Sequence, residues 1–100
     1  MSRESYTERS KRRFQHVKQR IKERYGEKIN IFLYKCMLNT IRSGGAFLVG
    51  VRDRGIHLVY LKIPKRKVYI YVVYDSREGQ LLTALPPEDF FLKRWLAGEE

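Results

Sequence analysis

Residues 46–85 read AFLVGVRDRGIHLVYLKIPKRKVYIYVVYDSREGQLLTAL. Four runs in this stretch are rich in Val, Ile, Leu and Tyr, which favour β-strands: Ala46–Arg52, Ile56–Ile63, Lys67–Tyr74 and Gln80–Leu85. The separators carry Gly, Pro, Asp and Ser, the residues typical of tight turns. Pro86-Pro87 ends the last run, because proline has no N–H to donate to a sheet. The stretch therefore predicts a four-stranded antiparallel meander.

Two helices are predicted ahead of the strands. Ser5-Tyr6-Thr7-Glu8 has the form of a capping box, and the helix that follows it, about residues 6–25, ends near Gly26. Its apolar positions form one narrow stripe, at Phe14, Val17, Ile21 and Tyr25. Asn30 can cap a second helix, from Ile31 to about Ser43. The second helix is apolar around most of its circumference, so we expect it to be covered on several sides.

The element order predicts an α+β fold, with the two N-terminal helices packed on the four-stranded antiparallel sheet. One domain is expected over residues 1–100. It would have a basic arm at residues 1–10, which need not be ordered, and a C-terminal tail at residues 88–100. A short helix is expected to begin near Glu88, and its apolar residues, between Phe90 and Leu96, would cap the core or meet a partner.

The charge balance points to an anionic partner. The chain has 21 Lys and Arg against 11 Asp and Glu, a net charge of +10. Nucleic acid is the first candidate, and an anionic membrane surface is the second. No apolar run approaches the ~20 residues of a membrane span, and the N-terminus lacks the apolar core of a signal peptide. The single cysteine, Cys36, allows no internal disulfide. We therefore expect a cytoplasmic protein that does not span a membrane.

Four side chains gather on one face of the first helix. At about 100° per residue, they fall within about one third of its circumference: Arg13, His16, Arg20 and Arg24. Cationic groups side by side repel each other unless an anion lies among them, and phosphate is the natural candidate. The alternative is a solvated basic face.

His16 suits acid–base chemistry, since imidazole can hold or release a proton near pH 7. Neighbouring arginines should lower its pKa and favour the neutral base. Arg20 could then neutralise charge that develops on a phosphate. A half-exposed helical histidine with no role is the alternative.

Two further groups could contact nucleic acid. One hairpin tip is basic, at Lys62, Lys65, Arg66 and Lys67, and could bind phosphates or merely protect a sheet edge from aggregation. Tyr69 and Tyr71 share a strand face and could stack unpaired bases. Such tyrosines, with Tyr60 and Tyr74 on neighbouring strand positions, also serve as cross-strand packing.

Metal-dependent catalysis is not indicated. The carboxylates are dispersed, mostly in turns, and no phosphate-binding loop, HExxH or GxSxG motif is present. A nuclease of this composition should work without metal or other cofactor. It would then need a 2′-hydroxyl as its nucleophile, so RNA is favoured over DNA.

With these residues in view, the chain resembles the barnase–EndoU–colicin–RelE superfamily, over about residues 14–87. It is most similar to a branch, often carried on mobile elements, whose first helix has a His-x-x-x-Arg motif. Here this motif is His16-Val-Lys-Gln-Arg20, followed by Glu23-Arg24-Tyr25-Gly26. A last strand with a threonine before a proline also matches, in Leu81-Leu82-Thr83-Ala84-Leu85-Pro86.

The resemblance implies a RelE-like fold and, as in toxin members, metal-independent cleavage of RNA. By that resemblance His16 would be the acid or base, Arg20 the phosphate clamp, and Thr83 a phosphate or 2′-hydroxyl contact. The three side chains should then lie within reach of one phosphate-sized site. An acidic antitoxin or host protein would be a further partner.

Two other functions stay open. One is a non-catalytic nucleic-acid-binding accessory protein of a virus or mobile element. The other is a protein-interaction factor, or inhibitor, whose tail docks on a host protein or builds a homodimer. The sequence leaves the oligomeric state undetermined.

Overall fold

The computed structural model describes residues 6–53 and 55–98, and these form an α+β fold. The elements, in chain order, are α1 (Tyr6–Tyr25), α2 (Ile31–Arg42), β1 (Phe47–Arg52), β2 (Ile56–Lys62), β3 (Tyr69–Asp75), β4 (Gln80–Leu85) and α3 (Asp89–Leu96). The predicted fold class is confirmed. The capping residue Ser5, with residues 1–5 of the basic arm, lies outside the described residues, as do Arg54 of the first hairpin and the tail residues 99–100.

The sheet is an antiparallel meander in the order β1-β2-β3-β4. Directly paired residues of antiparallel strands point to the same face, so the register defines two faces. One face includes the pair Val59 and Val72, and the other includes the pair Leu58 and Val73. Separate apolar clusters form on the two faces.

Helices α1 and α2 cover the first of these faces. The predicted stripe of α1 is confirmed, since Phe14, Val17 and Ile21 are buried and Tyr25 packs at the margin of the same cluster. The Phe14 ring meets the Tyr34 ring of α2 edge-on, with 5.4 Å between centroids.

The expectation that α2 is covered on several sides is wrong. Its buried residues form a single stripe, Leu33, Tyr34, Met37 and Leu38. Ile31 and Phe32, in its first turn, are 47% and 58% exposed. Helix α2 thus presents one side to the core and leaves large apolar side chains of its first turn exposed.

Helix α3 covers the opposite face of the sheet. Leu92 and Trp95 are buried there with Leu58, Val73 and Leu85. This part of the tail therefore caps a second apolar cluster, which was one of its two expected roles. The chain has two apolar layers with the sheet between them.

Helix α1 also lies along β4, an edge strand of the sheet. Its last residues hydrogen-bond the strand: the Arg24 guanidinium donates to the Ala84 carbonyl, and the Tyr25 hydroxyl donates to the Leu85 carbonyl at 2.6 Å. Near the start of the strand, the Gln80 amide donates to the Ser10 hydroxyl at 3.0 Å. These contacts fix the side chains of α1 along β4.

Tyr25 links α1 to two strands. Its hydroxyl accepts from the Tyr71 N–H at 3.0 Å while it donates to Leu85, and burial raises its pKa to about 12. Tyr25→Phe leaves both backbone groups without this partner, so we expect it to lower the free energy of unfolding by ~1–3 kcal/mol in urea titrations. Tyr71→Phe, whose bond to Tyr25 uses only backbone, should change it by no more than ~0.5 kcal/mol. Equal stability of the Tyr25 variant and the native chain would contradict this account of the anchor.

No helix within residues 6–53 and 55–98 has both the length and the apolar character needed to cross a membrane.

Candidate functional site

A cavity of about 400 Å³ opens where α1, the end of β4 and α3 meet. Three groups of residues line it: His16, Arg20 and Arg24 from α1; Thr83, Leu85 and Pro86 from β4 and the turn after it; and Phe91, Arg94 and Trp95 from α3. The spacing of four residues explains why His16, Arg20 and Arg24 share one side of α1. None of the nine described lining residues is acidic, and three are arginines.

His16 and Thr83 meet inside this cavity. The His16 Nε2 and the Thr83 Oγ1 are 3.3 Å apart, and which atom donates depends on the imidazole tautomer. The structure thus brings together His16, Arg20 and Thr83, the three residues that were expected to share a site.

A β-bulge turns Thr83 toward the cavity. Val73 of β3 pairs with Thr83, but the next residue, Tyr74, pairs with Leu81, so Leu82 is an extra residue in β4. If β4 instead paired regularly onward from Leu81, without the bulge, Thr83 would fall opposite Val72 and would point into the α1–α2 cluster. The bulge instead places it beside Val73, on the α3 side.

The electrostatics of the cavity favour a neutral His16. Partial burial lowers the pKa of His16 below its ordinary value of 6.5, and the charges of Arg20, Arg13 and Arg24 lower it further. Glu23 opposes this shift. The imidazole can therefore accept a proton near neutral pH.

The lowered pKa of His16 predicts a pH dependence of stability. The unfolded chain takes up this proton at a higher pH than the folded chain, so stability should be lost as pH falls from 6.5 toward the folded pKa. We expect urea unfolding of the native chain to show this loss between about pH 7.5 and about pH 5.5. His16→Gln should show a smaller loss, because it removes this titration. An identical loss in both proteins would contradict the assignment.

The arginines of the cavity differ in their partners. The Arg20 guanidinium donates to the Glu23 carboxylate at 2.9 Å, in an ion pair on the surface of α1. Arg24 is held by the Ala84 carbonyl, and the Arg94 guanidinium lies over the Phe90 ring, 5.5 Å from its centroid. A surface ion pair such as that of Arg20 is weak, so a phosphate can compete with Glu23 for the guanidinium.

Arg13 does not line the cavity. Its guanidinium lies 3.4 Å from Glu78 in the β3–β4 turn, and Arg9 lies 3.6 Å from the same carboxylate. The expected group of four on α1 is therefore divided, because the turn places an acid beside the first of them. A role for Arg13 in binding nucleic acid stays a prediction.

The basic hairpin tip is also divided. Arg66 pairs with Glu27 at 3.2 Å, and the Lys65 ammonium lies 5.6 Å from the centroid of the Phe32 ring. Arg66 thus contacts the segment that joins α1 to α2, and Lys65 contacts the start of α2. Lys62 and Lys67 are exposed.

Tyr69 and Tyr71 lie on the α3 face of the sheet, and Tyr60 lies between them. The Tyr60 and Tyr69 rings are stacked at 5.1 Å, and the Tyr60 and Tyr71 rings are 4.5 Å apart. Tyr74 instead is buried in the α1–α2 cluster. Tyr60 was not among the predicted site residues. The predicted hairpin could have indicated it, because a hairpin centred on the Lys65–Arg66 bond pairs Tyr60 with Tyr71 and so places the two rings side by side.

The contribution of α3 was also missed. Phe91 was expected to cap the core or meet a partner, and Arg94 was assigned no role, yet both line the cavity. Helical spacing could have shown that they share a side of α3. No local signal could have placed that side beside His16.

The described residues contain no group of three or more His, Cys, Asp and Glu side chains that could hold a metal ion. Comparison with models of protein families, with curated proteins and with solved structures finds no match for this chain.

Proposed function

We propose that this chain is an RNA-binding, RelE-like protein that cleaves RNA without a metal, by attack of a 2′-hydroxyl on the adjacent phosphate. One observation carries the proposal: a histidine of lowered pKa, a hydroxyl and three arginines line one cavity that has no acidic residue among its described lining. A phosphodiester is the anionic substrate on which this combination of groups can act.

In the proposed reaction His16 acts as the base, and two bonds to phosphorus are exchanged. His16 Nε2 takes the proton of the 2′-hydroxyl as the 2′-oxygen forms a bond to phosphorus. The bond from phosphorus to the 5′-oxygen of the next nucleotide breaks, and that oxygen takes a proton from water or from the protonated imidazole. The products are a 2′,3′-cyclic phosphate and a 5′-hydroxyl, so atoms and protons balance.

The remaining groups bind and orient the phosphate. Arg20 and Arg24 lie where their charges can stabilise the extra negative charge on the phosphate oxygens in the transition state. The Thr83 hydroxyl, next to His16 Nε2, can bond a phosphate oxygen once the 2′-hydroxyl takes its place at the imidazole.

The test is incubation of an end-labelled RNA with the protein in EDTA. We expect fragments that end in 2′,3′-cyclic phosphate, and no fragments from the DNA of the same sequence, which lacks the nucleophile. Intact RNA after prolonged incubation with folded protein would refute the proposed cleavage.

A second candidate is an RNA-binding protein that does not cleave. It is favoured by the presence of a single histidine among the nine described lining residues, because such a cavity offers one group that exchanges protons near pH 7. Affinity for a 2′-O-methyl RNA, which cannot be cut, measures binding alone. Its logarithm should fall against log salt with a slope of ~0.7 per phosphate contacted.

A further inference from the structure

The face of the sheet that α3 covers continues into three tyrosine rings that stay partly exposed. Tyr60 pairs with Tyr71 across β2 and β3, and Tyr69 lies diagonally opposite Tyr60, so all three side chains point to this face. Their rings form a compact group, with Tyr60 stacked on Tyr69 at an interplanar angle of 19° and tilted against Tyr71 at 40°. We call these three residues the tyrosine platform.

The tyrosine platform lies at the margin of the second apolar cluster, against which Tyr71 packs as a partly buried residue. Helix α3 buries Leu58, Val73 and Leu85, whereas Tyr69 is 46% exposed and Tyr60 and Tyr71 are half-buried. Tyr74, on the same strand as Tyr69 and Tyr71, is by contrast only 7% exposed and lies inside the α1–α2 cluster.

The tyrosine platform is continuous with the cavity. Tyr71 pairs with Leu85, which lines the cavity, and the Tyr25 hydroxyl joins the Tyr71 N–H to the Leu85 carbonyl. At its far side, Tyr69 pairs with the exposed Lys62. An RNA strand with one phosphate among the arginines of the cavity can therefore extend over the three tyrosine rings toward the positive charge of Lys62.

Aromatic faces select the state of the nucleic acid. A base can stack on a tyrosine ring only when its own face is free, so a sheet-borne group of rings binds unpaired bases and not a continuous duplex. Sequence preference is weak in such contacts, because every base has a π-face.

We infer that the tyrosine platform stacks unpaired bases next to the phosphate held in the cavity, and that the substrate is single-stranded RNA. This inference rests on the proposed function, and it adds the class of RNA and the residues that select it. Tyr69, the most exposed ring, receives a base, and Tyr60 supports Tyr69 from beneath.

The test is binding of a 2′-O-methyl RNA of about ten nucleotides, measured by fluorescence anisotropy, as a single strand and annealed to its complement. The native chain should prefer the single strand. Tyr69→Ala should weaken that binding by ~5- to 100-fold, the usual effect of losing one stacked base, and Tyr69→Phe should bind like the native chain. Because the Tyr69 side chain is largely exposed, both variants should fold, as circular dichroism can verify.

Three results would overturn the inference: equal affinity for strand and duplex, an unchanged affinity in Tyr69→Ala, or an equal loss in Tyr69→Phe and Tyr69→Ala. The proposed function can fail separately. Trp95, the single tryptophan, lines the cavity, so its fluorescence reports RNA bound there. If RNA changes the Trp95 fluorescence and Tyr69→Ala binds it with unchanged affinity, only the role of the tyrosine platform is refuted. If Tyr69→Ala weakens binding but the native chain does not cleave ordinary RNA, only the proposed cleavage is refuted.

Discussion

Replacing His16 with alanine is expected to lower the single-turnover rate of RNA cleavage by ~10²–10⁴-fold, the usual contribution of a general base. Affinity for a 2′-O-methyl RNA should change little, because the arginines of the cavity remain. This separation follows from the geometry, in which His16 contacts Thr83 while Arg20 and Arg24 provide the charge.

Matched variants on the same helix sharpen this first prediction. Arg20→Ala should reduce both the cleavage rate and the affinity, and Arg20→Lys should restore more of the affinity than of the rate, since lysine lacks the planar guanidinium. Lys22→Ala is the control, because Lys22 is an exposed cation of α1 that does not line the cavity. Equal loss of activity in Lys22→Ala and His16→Ala would contradict a specific role for His16.

The largest effect on stability is expected from Trp95→Ala. Trp95 is 5% exposed, packs with Leu92 against the sheet, and has the Arg52 guanidinium 4.8 Å from its ring centroid. Truncation of a buried aromatic residue removes packing and leaves a cavity, so the free energy of unfolding should fall by ~3–5 kcal/mol. Cleavage should fall as well, because α3 supplies one wall of the site.

Phe90→Ala is the matched control for this second prediction. Phe90 belongs to the same helix but is 62% exposed, so its truncation should change the free energy of unfolding by no more than ~0.5 kcal/mol. Urea titrations followed by circular dichroism measure both variants. A loss of under ~1 kcal/mol in Trp95→Ala would contradict the role assigned to α3 as the cover of the second apolar layer.

The fold follows from short-range patterns that sequence reasoning can use. The stripe from Phe14 to Tyr25 defined α1, and the Gly- and Pro-containing turns separated the strands. The burial of α2 was overestimated, because its composition does not reveal how many neighbours cover it. Exposure of Ile31 and Phe32 depends on the layer arrangement and not on the local pattern.

The site was predictable only in part. Helical spacing brings His16, Arg20 and Arg24 together, but the pairing of Arg13 with Glu78 depends on which turn lies beside α1. The nearness of Thr83 to His16 was an implication of the resemblance, and it depends on the bulge at Leu82, which no glycine within β4 indicates. The position of Arg94 at the cavity likewise depends on how α3 packs on the sheet, which is a contact between residues far apart in sequence.

One measurement tests the central claim most directly: single-turnover cleavage, in EDTA, of a DNA strand that carries one ribonucleotide. The account predicts one cut, directly after the ribonucleotide, with a 2′,3′-cyclic phosphate end, and none in His16→Ala at matched time. A native chain that leaves this strand intact, or that cuts it elsewhere, would contradict the claim that His16 uses a 2′-hydroxyl against a phosphate in the cavity.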